Sequence, residues 1–218
     1  MFRVKRLEQE HLTDLMILHR SVIKHIGGKK DLLIVERDET YFRNVMAGLG
    51  LIIGAFQGSN LVGYSSLRYP QPGEENFGEY VNLPPQEFPF LAHSNGSMVD
   101  PDCRGFGLHR LMALARAQAA RQLGLRHLLS EVHGSNPPSL RNLFSLGFKV
   151  RGSKREGEDD FLIFHHEITS EEKNFEFKVS VPAINSNLQQ ELLVSGLIGY
   201  DLEQIDGSWN IKYGHPLR

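Results

Sequence analysis

The stretch Ser97–Gln118, SMVDPDCRGFGLHRLMALARAQ, decides how the rest of the chain is read. A short segment ends at Asp100-Pro101, Arg104-Gly105-Phe106-Gly107 follows, and a helical run begins at Leu108. A helix entered from such a loop exposes its first N–H groups without backbone partners. The helix dipole adds partial positive charge at the same end. Glycines let an anion approach the backbone, so the junction has the chemistry of a phosphate site, with Arg104 as an added cation. The same pattern also suits a plain tight turn. Two phosphate motifs are excluded. A P-loop needs Gly-Lys-Ser/Thr where Leu108-His109-Arg110 stands. A dinucleotide fold needs a third glycine near Arg110 and a place close to the first strand.

Working outward, Leu108, Leu111, Met112, Ala115, Ala119 and Leu123 are expected to line one helix face, and Gly124 ends the helix. The segment before it, His93–Val99, reads as a strand, as does His127–His133 after it. Asn136-Pro137-Pro138 opens another helix, because proline is tolerated where an N–H has no intrahelical acceptor. Gly147 closes that helix, and two further strands bring the core to Ile168. Upstream, FRVKRL (Phe2–Leu7) alternates as a half-buried strand. Leu12, Leu15, Met16, His19, Ile23 and Ile26 mark a helix face stopped by Gly27-Gly28. Asp38 caps a helix over Glu39–Ala47. The strands around Gly58-Ser59-Asn60 read as an antiparallel hairpin.

Residues 70–92 form a long proline-rich segment without regular period. It carries Glu74, Glu75, Glu79 and Glu87 together with Phe77, Tyr80, Phe88 and Phe90, and no lysine or arginine. It reads either as a lid that attracts a cationic amine or as a solvated acidic loop anchored by its aromatics. After Glu167 the polar connector TSEEKN leads to a strand at 175–184, a short helix over 186–194 and a hairpin on Asp206-Gly207. Two domains are expected: 1–168, and an α+β extension over 169–218 that serves packing or a homodimer contact.

Composition narrows the function. The 218 residues carry a net charge of −2 with ten histidines neutral, so no basic footprint for nucleic acid is present. No run has the length of a membrane span, and the first residues hold no apolar signal core. The single cysteine, Cys103, fits a reducing compartment, and a cytoplasmic protein is expected.

The element order, with MVDPDCRGFGLHRLM (98–112) and NPPSLRNLFSLGF (136–148), resembles the GNAT superfamily of acetyl-CoA-dependent N-acetyltransferases over residues 1–168. The resemblance implies an α+β fold with a mixed, mostly antiparallel sheet and helices on both faces. It implies acetyl-CoA as co-substrate without a metal, and a primary amine of a small molecule or peptide as acceptor. The backbone of Arg104, Gly105, Phe106, Gly107, Leu108 and His109 would hold the coenzyme A pyrophosphate. Met98 and Val99 would pair with the pantetheine arm as an added strand does, and Asn136 and Ser139 would touch the same arm. The sequence departs from the family at His109, where Gly or Ala is usual, and at Leu143, where the customary tyrosine acid is replaced and Phe144 follows.

Acyl transfer to an amine needs a base for the ammonium proton and a donor for the developing oxyanion. His93, at the head of the strand leading to Val99, is the chosen base. Glu131 and His133 on the neighbouring strand stand behind it. Cys103 has no base beside it in sequence, which argues against a covalent role. Because Leu143 and Phe144 carry no hydroxyl, a non-catalytic acyl-CoA sensor on the same fold stays open beside the enzyme.

Overall fold

Caps and glycines written in the sequence set most element boundaries. The computed structural model describes residues 1–26, 36–169 and 174–217. In chain order the elements are β1 (Phe2–Arg6), α1 (Leu12–Ile26), α2 (Glu39–Asn44), β2 (Gly50–Gln57), β3 (Asn60–Arg68) and α3 (Phe77–Tyr80). They continue with β4 (Leu91–Val99), α4 (Leu108–Gln122), β5 (His127–His133), α5 (Pro137–Ser145), β6 (Lys149–Glu156) and β7 (Asp159–Glu167). The last four are β8 (Phe175–Pro182), α6 (Ser186–Val194), β9 (Ile198–Ile205) and β10 (Ser208–Pro216). The expected stop at Gly27-Gly28 and most of the connector 169–174 lie outside the described residues. No helix among the described residues is long and apolar enough to cross a membrane.

The chain clusters into two compact units: Met1–Glu75 with Ala92–Leu125, and Asn76–Leu91 with Arg126–Arg218. The division therefore falls after Leu125, whereas the sequence reading draws its boundary after Ile168. In the first unit β1, β2, β3 and β4 pair antiparallel in that order. Alternation along the strands separates two layers. Ile52, Phe56, Tyr64 and Met98 pack with Leu12, Leu15, Met16 and Val22 of α1 and Phe42 of α2. The intervening positions meet α4: a Cβ on Gly63 would lie 3.1 Å from Met112, and Ser65 bonds Arg116. Helices thus cover both faces of this sheet. Asp38 Oδ1 accepts the Tyr41 N–H at 2.7 Å, which fixes the start of α2 as expected. That helix turns into a wider coil over Val45–Leu49 instead of ending at Ala47.

In the first unit His19 is fully buried, with Nε2 accepting the Arg37 N–H at 3.0 Å. The proton therefore sits on Nδ1, which donates to Tyr64 Oη at 2.8 Å. Burial, the largest influence, holds this imidazole below its usual pKa.

The second unit orders its strands β5-β7-β6-β9-β10-β8, with antiparallel pairing. Residues 76–91 are anchored by their aromatics, as one of the two expected readings has it, while Glu79 stays exposed. Phe77, Val81 and Leu91 form a core with Leu129 and Ile163, and Leu83 and Phe88 pack on it. Glu87 pairs with Arg126 at 2.9 Å and with His127 Nε2 at 3.0 Å. In the first unit Glu74 takes both terminal nitrogens of Arg68, at 2.5 and 2.6 Å. These two carboxylates are held by cations of the chain itself.

The tail has the α+β composition expected. It joins the sheet where Val150 faces Gly199, and α6 meets Tyr213 through buried Gln189. Gln189 donates to Pro182 C=O at 2.8 Å and accepts from the Tyr213 hydroxyl. At Gly134 the backbone passes so close to the tail that an added Cβ would lie 2.0 Å from the Ala183 carbonyl oxygen. Gly134→Ala should therefore cost about 1–3 kcal/mol in denaturant unfolding, the usual penalty of overpacking. A variant as stable as wild type would show that this approach is not part of the fold.

Candidate active site

The first unit builds its site at the end of β4. Ser65 faces Ser97 and Leu67 faces Ser94, so β4 carries one residue more than β3 between these pairs. This is a β-bulge at Asn95-Gly96, and Gly96 supplies its left-handed residue with φ of 73°. The Ser66 hydroxyl donates to Asn95 C=O across it. Beyond the bulge, Asp100 N–H donates to Val62 C=O at 2.9 Å. Antiparallel alternation then turns the backbone groups of Met98 toward β3 and those of Val99 away from it. The Met98 side chain is buried in the α1 layer.

The loop after β4 is wound by its own side chains. Asp100 caps a single 3-10 turn over Pro101–Cys103, accepting the Asp102 N–H at 2.9 Å. Arg104 folds back, its Nε donating to Val99 C=O at 3.4 Å. Gly105 and Gly107 take φ of 82° and 73°, and no atom lies within 4 Å of where a Cβ would stand on either. Gly107 is the N-cap of α4 and offers no side chain to the N–H groups of Leu108, His109 and Arg110. The first turn of α4 also lacks an acidic residue. The result is an open, glycine-lined helix start with a cation beside it. Phe106 stands out of the loop, 67% exposed, with its ring 5.6 Å from Phe2.

Cys103 is buried near Gln57 Oε1 at 3.8 Å. Burial first, then Asp100 and Asp102, push its thiol pKa up, the opposite of what a nucleophile needs. His93 sits buried on β4, 4% exposed, with Arg68 as its cross-strand partner. Arg68 in turn holds the Glu74 carboxyl below the usual carboxylate range.

The remaining candidates lie in the second unit. Asn136 Oδ1 caps α5 by accepting the Ser139 N–H at 3.2 Å, so these two residues form one local structure. Glu131 pairs with buried Lys154 at 2.8 Å. His133 Nδ1 accepts the Ser135 N–H at 3.2 Å, which puts the proton of the neutral ring on Nε2. His133 also borders a cavity of about 180 Å³ with Glu158, Asp160, Phe161, Ile184 and Ser186. Leu143 is buried, and the Phe144 ring packs edge-on against Phe164 at 5.1 Å. Among the described residues no group of His, Cys, Asp and Glu is placed to hold a metal ion.

One residue of the site region escapes the sequence reading. The buried face of α4 is Leu108, Met112, Ala113, Arg116 and Ala120, while Leu111 and Leu123, expected inside, are exposed. The signal was the strict four-residue ladder 108-112-116-120, which an arginine interrupts. Arg116 and His109 lie on one side of the helix, two turns apart. The His109 pKa is pushed down to about 4, first by burial and then by the Arg116 cation.

Residues 29–148 match the model of the acetyltransferase (GNAT) family. No curated protein matches the chain. Among solved structures, the chain resembles the ribosomal-protein-S18-alanine N-acetyltransferase of Escherichia coli at 18% identity and a TM-score of 0.58, over 81% of this chain and 100% of that one. It resembles the yncA protein of Salmonella typhimurium with its cofactor acetyl-CoA at 15% identity and a TM-score of 0.58, over 78% and 95%. The PaiA N-acetyltransferase of Thermoplasma acidophilum in complex with coenzyme A aligns at 17% identity and a TM-score of 0.56, over 77% and 99%.

The state of His109 can be read from stability. Its unfolded pKa is 6.5 and its folded pKa about 4, so in that window the unfolded chain binds a proton that the folded ring refuses. Stability present above pH 6.5 is therefore lost as the pH falls toward 4. His109→Asn should flatten the stability–pH slope in this window by one proton, about 1.4 kcal/mol per pH unit. An unchanged slope in urea melts from pH 7 to 4.5 would mean that the folded ring titrates normally.

Proposed function

The chain belongs to the GNAT acetyltransferase family, and we propose that it transfers an acetyl group from acetyl-CoA to a primary amine of a small molecule or peptide by direct attack. The observation that carries this reading is the uncapped start of α4 behind Gly105 and Gly107. Both glycines leave their Cβ space empty, the helix dipole points at that space, and Arg104 stands beside it. A pyrophosphate fits this arrangement, with the backbone of Gly105, Phe106, Gly107, Leu108 and His109 as its cradle. Bound there, acetyl-CoA supplies an activated thioester.

The chain's own residues do the rest. Val99, whose backbone groups turn away from β3, pairs with the pantetheine amides and donates its N–H toward the developing oxyanion. Met98, expected beside Val99 on that arm, turns its backbone groups toward β3 and its side chain into the core, so the pairing falls to Val99 alone. Asn136 and Ser139, at the start of α5, are the further residues that the family resemblance assigns to that arm. His93 takes a proton from the ammonium, directly or through water, so that the neutral amine attacks the thioester. The thiolate leaves unaided, a fair leaving group with a thiol pKa near 8.5. In this reading 1–168 is the transferase domain, 169–218 an extension, and the reaction is cytoplasmic.

One observation favours a second reading. Leu143 and Phe144 place apolar atoms where the family resemblance puts a tyrosine hydroxyl, which suits a protein that binds acyl-CoA without turning it over. Amine-dependent release of thiol from acetyl-CoA separates the two, with amino acids, polyamines, aminoglycosides and peptide N-termini as acceptors.

Coenzyme A at 100 times its dissociation constant should stabilise the wild type by about 2.7 kcal/mol. Gly105→Glu, which puts a side chain and a negative charge into the cradle, should abolish that shift. A wild type whose melting is indifferent to millimolar coenzyme A would sink both readings. For His93, the rate at saturating acetyl-CoA should rise with pH through one ionisation. His93→Ala should lower turnover roughly 10²–10⁴-fold with little change in coenzyme A affinity. An alanine variant with the wild-type pH profile and near wild-type turnover rules the base out.

A further inference from the structure

Arg116 is a buried cation that the mechanism above does not use. It is 3% exposed at the middle of α4, and among the described residues no carboxylate pairs with it. Its Nη1 donates to Ser65 Oγ at 2.7 Å and to Ser66 C=O at 3.4 Å, while its Nε is buried without a partner. A guanidinium in this state is a poor way to stabilise a fold. Hydrophobic residues of similar volume in its place are often neutral or stabilising. The groups it holds explain its presence better than the energy it contributes. Ser65 and Ser66 are the β3 residues opposite the bulge: Ser65 faces Ser97, and the Ser66 hydroxyl donates to Asn95 C=O.

We propose that Arg116 is a positioning residue that fixes the bulge of β4 through Ser65 and Ser66, and so sets where the Ser97–Val99 backbone presents itself to the acyl group. The inference rests on the transferase reading. It gives Arg116 a role that neither substrate contact nor general stability accounts for. One nitrogen of the guanidinium, Nη1, reaches a hydroxyl and a carbonyl at once and so ties the Ser65 side chain to the Ser66 backbone. The bulge leaves one extra residue outside the ladder, and the pairing resumes beyond it at Ser97, Met98 and Val99, so the register of that stretch is set where the bulge is held.

The test compares Arg116→Met and Arg116→Lys with wild type. In Arg116→Met the amides of Asn95 to Val99 should exchange about tenfold faster or more while the melting temperature holds or rises. Turnover should fall about tenfold or more, since small displacements of reacting groups are costly, and coenzyme A affinity should stay within about threefold. Arg116→Lys, which keeps a donor for Ser65, should recover part of both losses. A folded Arg116→Met with exchange and turnover within about twofold of wild type overturns the proposal, as does loss of melting temperature with unchanged turnover. If Arg116→Met does not fold, Ser65→Ala removes the nearer acceptor with little volume change, and the same criteria apply. If wild type releases no thiol with any amine, the transferase reading fails, while the exchange measurement still decides the role of Arg116.

Discussion

Tyr64 and Ser65 are neighbours on β3 and point to opposite faces, and each hydroxyl meets a buried basic group. On one side Tyr64 Oη accepts a hydrogen bond from His19 Nδ1, and on the other Ser65 Oγ accepts one from Arg116. Both helical layers of the first unit are thereby registered on two consecutive residues of one strand. The apolar packing around them, from Leu15 and Phe42 on one side to Met112 on the other, supplies most of the burial. It would tolerate small slips that the two hydroxyl contacts do not, because a one-residue shift of β3 exchanges the two faces. The bulge in β4, the direction of Val99 and the start of α4 all follow from that register.

The loop after β4 sets partial positive charge at the start of α4 against the carboxylates of Asp100 and Asp102 at its own beginning. Arg104, the uncapped N–H groups and the helix dipole bring positive potential to the same place without a compensating side chain in the first turn of α4. His109 stays neutral in the folded chain under the influence of burial and Arg116. A phosphate arriving nearby would draw its pKa back up, so charge on this ring is coupled to the state of the loop. Cys103, two residues before Gly105, is held as a thiol by burial and two aspartates and takes no part in that potential.

Much of this was legible where one residue type has one physical reason to be present. Asp38 announced a helix start because its side-chain oxygen replaces a missing backbone acceptor, and Pro137-Pro138 announced another because proline lacks the N–H that has no acceptor there. Asp206-Gly207 announced a hairpin because both residues adopt positive φ, 49° and 81°. The turns at Gly105 and Gly107 were legible for the same reason, since both take positive φ. What stayed illegible depends on partners remote in sequence. The buried face of α4 differs from the expected one by a small rotation, because Leu108 and Met112 belong to both. Nothing local says that Arg116 finds two serines rather than water. The segment 76–91 has no period of its own, and its aromatic residues become a core only against Leu129 and Ile163.

The strand order of the second unit leaves β8 at the margin of its sheet. A marginal strand offers unpaired N–H and C=O groups to any other extended chain, including a second copy. Here Glu176 and Lys178, both exposed and paired at 2.6 Å, sit two apart on one face, and Pro182 closes the strand without an N–H. Another β-strand laid along this margin would have to strip water from that ion pair and would meet a proline at its far end. The tail thus makes the margin it adds a poor template for a further strand.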